Sequence, residues 1–242
     1  MAKPEFTPLN PKIVLGVVAH PDDLEFGAAG TMAKYAQQGA GVYYYVLTNG
    51  NKGSSDLSAS PDSLRDLRRD EQRAAAKILG VKDVFFADYE DGTLECNQAV
   101  KRDIVHKIRE LKPEVVVTFD PTVVYSTSLG IINHTDHRAA GQASLDAVYP
   151  LARDHLSFPE LADDGLATHN VTTVLMINFD DNNYCEDITS TFELKMQALA
   201  AHASQVPDFG KTRTMLEHIA HTCGSKTHSV YAEGFMRLDL PQ

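Results

Sequence analysis

Cysteine is scarce in this chain of 242 residues: Cys96, Cys185 and Cys223 are the whole set, and no two stand in C-x-x-C spacing. An odd, scattered set supports neither a disulfide framework nor a thiolate zinc site. Long apolar runs are missing too. None reaches the roughly 18 residues of a membrane span, and the opening MAKPEFTPLNPK has no hydrophobic signal core. The expectation is a soluble, cytoplasmic protein with no membrane partner. Positive charge is in deficit, with 22 Lys and Arg against 33 Asp and Glu for a net charge of -11. That balance argues against a nucleic-acid partner and is indifferent to a neutral sugar. No G-x-G-x-x-G follows a strand-like run, since Gly27, Gly30 and Gly39 have the wrong spacing, which removes the main support for dinucleotide binding. No linker-like segment and no internal repeat divides the chain, so residues 1–242 are expected to form one domain.

What is present is chemistry at the ends of apolar runs. Ile13-Val14-Leu15-Gly16-Val17-Val18 leads directly into Ala19-His20-Pro21-Asp22-Asp23. An imidazole and two carboxylates therefore stand at the exit of a buried strand, where open α/β sheets place their ligands. His and Asp suit Zn²⁺, and a catalytic zinc takes three protein ligands with a fourth position left to water. Aspartate and histidine also admit Fe²⁺, Co²⁺ or Mn²⁺. His20 and one aspartate supply two ligands. A third is expected from Asn133-His134-Thr135-Asp136-His137, which follows the second strand-like run Val115–Phe119 by a long loop. Two histidines three residues apart share a face at the start of a helix, and Asp136 between them is placed to orient an imidazole. Each cluster alone is more often a turn or a capped helix start than a metal site. Their coincidence at two strand exits favours a metal site.

Strand and helix patterns alternate along the rest of the chain, with strands expected at Val42–Thr48, Val84–Phe86 and Val171–Asn178. Helices are expected at Gly30–Gln38, Ser63–Leu79, Gln98–Leu111, Arg138–Val148 and Thr191–Ala201. In the second of these, Leu64, Leu67, Ala74 and Ile78 form the apolar stripe, and Glu71 falls on it four residues after Leu67. A carboxylate on a buried face needs a partner, and Arg68 is within reach three residues earlier. Asp91 beside Gly92 reads as a turn former or as an acceptor for a substrate hydroxyl. His202, at a helix C-terminus, complements the helix dipole on the bland reading.

The strings AHPDDLEFGAAGT and HTDHRAAGQ resemble the PIG-L/LmbE family of zinc-dependent N-acetylglucosaminyl deacetylases, which includes enzymes of mycothiol and bacillithiol synthesis and diacetylchitobiose deacetylases. The likeness extends through Arg68-Arg69-Asp70-Glu71, Asp91-Gly92-Thr93-Leu94, Ala198-Leu199 to His202-Ala203-Ser204-Gln205, and Ala232-Glu233-Gly234-Phe235. Two departures are visible: Ala29-Gly30 stands where the family often has Gly-Gly, and the loop from Pro121 to Ile132 is longer than in many members.

The resemblance implies an α/β, Rossmann-like fold with a mostly parallel sheet flanked by helices and the metal at the strand C-terminal ends. It implies His20, Asp23 and His137 as zinc ligands, and it alone selects Asp23 over Asp22. Asp22 becomes the general base on water acidified by the metal. A protonated His134, oriented and raised in pKa by Asp136, would hold the oxyanion and serve the leaving amine. Arg68, Glu71, Asp91, Arg153 and His202 become substrate contacts, with Glu71 holding the Arg68 guanidinium. The implied substrate is a small N-acetyl sugar. The implied assembly is a trimer or hexamer, with His202, His218, His221 and His228 near an interface. Two other readings stay open: an amidase for a thiol- or antibiotic-sugar conjugate, and a non-catalytic, metal-stabilised carbohydrate-binding module.

Overall fold

In the computed structural model, which describes residues 6–127 and 129–241, one seven-stranded sheet organises the chain. Strand β1 (Ile13–Val18) is followed by helices α1 (Asp23–Gly27) and α2 (Ala29–Gln37), then β2 (Gly41–Thr48), α3 (Pro61–Leu79), β3 (Asp83–Tyr89), α4 (Gln98–Leu111) and β4 (Val115–Phe119). A short hairpin, β5 (Tyr125–Ser126) and β6 (Ile131–Ile132), precedes α5 (Thr135–Asp146) and α6 (Glu160–Asp163). The chain closes with β7 (Thr173–Ile177), β8 (Tyr184–Asp187), α7 (Phe192–Ala200), α8 (Phe209–Gly224) and β9 (Ala232–Asp239).

The spatial order is β3-β2-β1-β4-β7-β9-β8. Five neighbouring strands, β3, β2, β1, β4 and β7, run parallel, while β9 pairs antiparallel with both β7 and β8. Strands buried on both faces read as continuous apolar runs, which is why IVLGVV and VVVTF are legible as strands. Residues alternate between two cores: Val14 and Val18 pack with Leu24, Met32, Tyr35 and Leu79 on one face, while Leu15 and Val17 pack with Ile104, Val116 and Ala140 on the other. A third cluster joins α7 and α8 through Phe192, Met196 and Leu216. The strand order reverses between β1 and β4, and the crevice above such a switch point is where α/β sheets bind ligands. His20–Asp23 follows β1 and the 120–134 loop follows β4, so the topology brings both motifs to that crevice.

Three details differ from the sequence-based expectation. The buried stripe of α3 is Leu64, Arg68, Glu71, Gln72, Ala75, Ala76 and Leu79. Leu67 and Ile78 face outward, because the helix turns its polar residues toward the crevice rather than its best apolar register toward the sheet. Second, Cys185 and Cys223 are paired in a disulfide between β8 and α8. Residues 38 apart in sequence are brought within a Cα–Cα distance of 6.4 Å by the fold, which their spacing does not announce. Third, the long loop after β4 carries the β5–β6 hairpin.

Candidate active site

The His20 loop is built around an unusual backbone. Asp22, the residue before α1, has φ 95°, in the left-handed region that non-glycine residues rarely adopt. Such conformations persist where surrounding bonds overdetermine them. Here the Asp22 N–H donates to Gln72 Oε1 at 2.9 Å, and Arg68 donates to the Pro21 carbonyl at 2.8 Å and the Gly50 carbonyl at 3.1 Å. Gly50, at φ 62°, lets the loop after β2 approach closely, since a Cβ there would stand 2.9 Å from Pro21 Cδ. Two buried residues of α3 thus hold the turn that aims Asp22 and Asp23.

His20, Asp23 and His137 converge, their donor atoms all within 4.8 Å of one another. Ligands of one tetrahedral zinc, each about 2.0–2.2 Å from it, stand roughly 3.3–3.6 Å apart. His137 Nε2 lies 3.1 Å from Asp23 Oδ1, and His20 Nδ1 lies 3.7 Å from Asp23 Oδ2. The orientation of His137 is fixed from behind. Its Nδ1 faces Asn133 Oδ1 at 3.0 Å, which leaves Nε2 for a cation, and its ring stacks on Phe119 at 4.1 Å. Asn133 is in turn held by donating to the Val123 carbonyl.

The electrostatics also point to a cation. Asp23, Asp91 and Asp136 all lie within 3.7 Å of the His20 ring nitrogens. Burial works against a charged His20, yet Asp136, Asp23 and Asp91 overcome it and raise its pKa to about 12. Burial likewise works against the Asp23 carboxylate, but the nearby His137 and His20 hold it well below the usual range. The carboxylates gathered around the two imidazoles form a donor set that suits a divalent ion. The residues therefore fit a metal of the zinc type. A second grouping, His20, Asp91 and His134, shares His20 with the first.

Asp22 differs from its neighbour. Burial, the largest influence, raises its carboxyl to about 7, against the pull of the Arg68 guanidinium, whose Nη2 is 3.4 Å away. It stands beside the candidate ligands with a proton affinity matched to neutral pH.

Other expectations need correction. Glu71 does not hold Arg68; it accepts from the Ser204 N–H at 2.8 Å and the Ser204 hydroxyl at 2.6 Å, fixing the turn after α7. Asp136 does not support the His134 ring through its carboxylate. That group is fully buried and accepts from the Gly92 and Leu94 N–H groups and faces His20 Nε2, tying the Asp91 turn to the site. The Asp136 N–H donates to His134 Nδ1 at 3.2 Å. Burial and the charge on His20 lower the His134 pKa rather than raising it, and with Nδ1 accepting the Asp136 N–H the ring proton belongs on Nε2. Arg153 is not brought to the site: it donates to Asn170 Oδ1 and the Pro241 carbonyl, at the edge where β7 begins and β9 ends. His202 is buried completely, with Nε2 3.3 Å from Glu25 Oε2, and lies beneath the His20–Asp23 loop instead of lining the crevice. Asp91 is at the site, its Oδ1 3.2 Å from His20 Nε2. Sequence reasoning gave no role to Gln72, Glu25 or Asn133. Gln72 Nε2 bonds Glu25 Oε1, so a buried polar chain runs from Asp22 to His202; its sequence trace is the polar residues on the buried face of α3.

Comparison with known proteins agrees with this geometry. Residues 15–148 match the family described as PIG-L: GlcNAc-PI de-N-acetylase. The diacetylchitobiose deacetylase of Thermococcus kodakarensis is 33% identical over 225 residues, covering 92% of this chain and 82% of that protein. A probable N-acetyl-alpha-D-glucosaminyl L-malate deacetylase 2 of Bacillus anthracis is 31% identical, covering 81% of this chain and 82% of its own length. The solved N,N'-diacetylchitobiose deacetylase of Pyrococcus horikoshii superposes with a TM-score of 0.88 at 32% identity, covering 95% of this chain and 85% of that one.

Proposed function

The chain belongs to the PIG-L (GlcNAc-PI de-N-acetylase) family, and from that premise we propose that it is a zinc-dependent N-deacetylase that hydrolyses the amide of a small N-acetylglucosamine-containing molecule. The observation that carries the reading is the convergence of His20, Asp23 and His137, with the Asp22 carboxylate in the same turn held by Arg68. His20, Asp23 and His137 would hold a divalent ion, which when bound would supply Lewis acidity for the amide carbonyl and for water. Asp22 takes a proton from the attacking water and, with its raised pKa, returns it to the departing amine. Arg68 keeps that carboxylate in place, and Gln72 holds its backbone. Neutral His134 donates Nε2–H to the developing oxyanion, a contact whose loss typically costs about 2.7–4 kcal/mol in the barrier. To Asp91, beside His20, and Arg68 we assign the sugar side of the crevice.

Support for a single domain comes from one sheet that collects strands from both the start and the end of the described chain. A homo-oligomer of three or six copies and a cytoplasmic setting belong to the same proposal. Among the described residues no helix is long and apolar enough to cross a membrane, and closed homo-oligomers are common among soluble enzymes. Acetate release from N-acetylglucosamine, its malate glycoside and diacetylchitobiose tests the function. Release from at least one is expected; release from none, with metal bound, contradicts it and favours a binding module.

A further inference from the structure

Beside the candidate ligands lies a cavity of about 450 Å³ that opens directly onto Asp23 and His137. Its wall is apolar. Phe26, Phe119, Ile177 and Ile219 line it from regular elements, and Phe179 and Met215 stand at the rim, 40% and 47% exposed. The amides in the wall have their hydrogen bonds within the protein. Asn133 bonds Val123 and His137, and Asn178 donates to Asp120 while accepting from the Asp180 and Asp181 N–H groups. The wall's apolar side chains serve a hydrocarbon chain better than a sugar's hydroxyls. The opposite flank of the site is polar, with Arg68, Asp91, Lys52 and Asn51 gathered by the loop after β2. Asp91 on that flank reaches the site itself, its Oδ1 3.2 Å from His20 Nε2.

A substrate amide has two arms. With its carbonyl at His20, Asp23 and His137, the hydroxyl-bearing amine arm belongs on the polar flank and the acyl arm falls into the apolar cavity. An acetyl group fills little of that space, since a volume of about 30 Å³ suffices for one water and a methyl is of similar size. We infer that this enzyme accepts N-acyl groups longer than acetyl, with a straight chain of about six carbons lying in the cavity. The inference rests on the N-deacetylase reading and specifies its acyl arm. The reaction is otherwise unchanged. The water oxygen bonds to the acyl carbon, the carbon–nitrogen bond breaks, the amine leaves with a proton, and the products are a short-chain carboxylate and a free amino sugar.

Two measurements on the zinc-loaded full chain test this. Hydrolysis of N-acetyl-, N-butanoyl-, N-hexanoyl- and N-octanoylglucosamine is followed by amine release, and binding of acetate and hexanoate by calorimetry. A fully buried methylene is worth about fourfold, so burying even two raises kcat/KM and carboxylate affinity by about tenfold or more from acetyl to hexanoyl. Phe179→Asp and Met215→Asp, at part-exposed positions that folding tolerates, should bring both hexanoyl-to-acetyl ratios down toward unity. Hydrolysis of the acetyl substrate with ratios near one in the native protein overturns the inference and leaves the N-deacetylase reading intact, as does a second copy of the chain found covering the cavity. Tighter hexanoate binding, lost in both variants, with no N-acyl substrate hydrolysed, supports the acyl subsite while overturning the N-deacetylase reading.

Discussion

Arg68 is the residue whose removal best separates stability from chemistry in this site. It is 5% exposed, and its guanidinium donates to the carbonyls of Pro21, Gly50 and Lys52 while facing Asp22 at 3.4 Å. Arg68→Met keeps the aliphatic stem and removes the charge. Breaking a buried ion pair from one side typically costs 3–5 kcal/mol, because the other charge is left uncompensated. Asp22 can escape part of that cost by staying protonated near pH 7, so a loss of about 3 kcal/mol is expected in urea unfolding of the zinc-loaded protein. The kinetic consequence has a definite sign. Arg68 lowers the Asp22 pKa, while burial has already raised it to about 7. Without the guanidinium the carboxyl rises further, and a base must be ionised to act. The acid limb of the kcat/KM profile therefore moves to higher pH in Arg68→Met, and Arg68→Lys restores part of the shift. A variant within 1 kcal/mol of the parent, with its acid limb unmoved, would refute the argument that Arg68 sets the charge of Asp22.

Other outcomes follow from the same structure. Asn133→Ala should weaken zinc affinity about 10–100-fold without removing a ligand, because it frees the His137 ring to rotate; metal competition with a chromogenic chelator measures it. Cys185→Ser should lower stability by about 3–4 kcal/mol under oxidising conditions, the chain-entropy value for a crosslink spanning 38 residues, and by far less in reductant. Sedimentation velocity at micromolar concentration should show a trimer or hexamer; a fully active monomer of 26.6 kDa contradicts the assembly.

The parts of this protein legible in its sequence are those encoded locally. Ile13–Val18 reads as a strand because both its faces are buried, and His20, Asp22 and Asp23 follow it within five residues. The same holds for Val115–Phe119 and for His137, placed at the first turn of α5. Partner choice was not legible. Arg68 and Glu71 are three apart on one helix, yet one bonds residues 18 and 47 positions away and the other bonds Ser204, 133 positions away. Helical spacing gives proximity, but the fold supplied better-aligned acceptors. Arg153 fails as a site residue for the same reason, since its neighbours Asn170 and Pro241 are set by the far end of the sheet. The pKa of His134 falls because burial and the neighbouring His20 outweigh the pull of Asp136, whose carboxylate is bonded to Gly92, Leu94 and His20.

The central claim is that His20, Asp23 and His137 hold a catalytic metal while Asp22 works beside it unligated. Zinc content and acetate release, measured together on Asp22→Asn and Asp23→Asn, test it most directly. The account predicts about one zinc per chain in Asp22→Asn with hydrolysis lost, and depleted zinc in Asp23→Asn. The reverse pattern, or full activity in a protein stripped of metal, would contradict it.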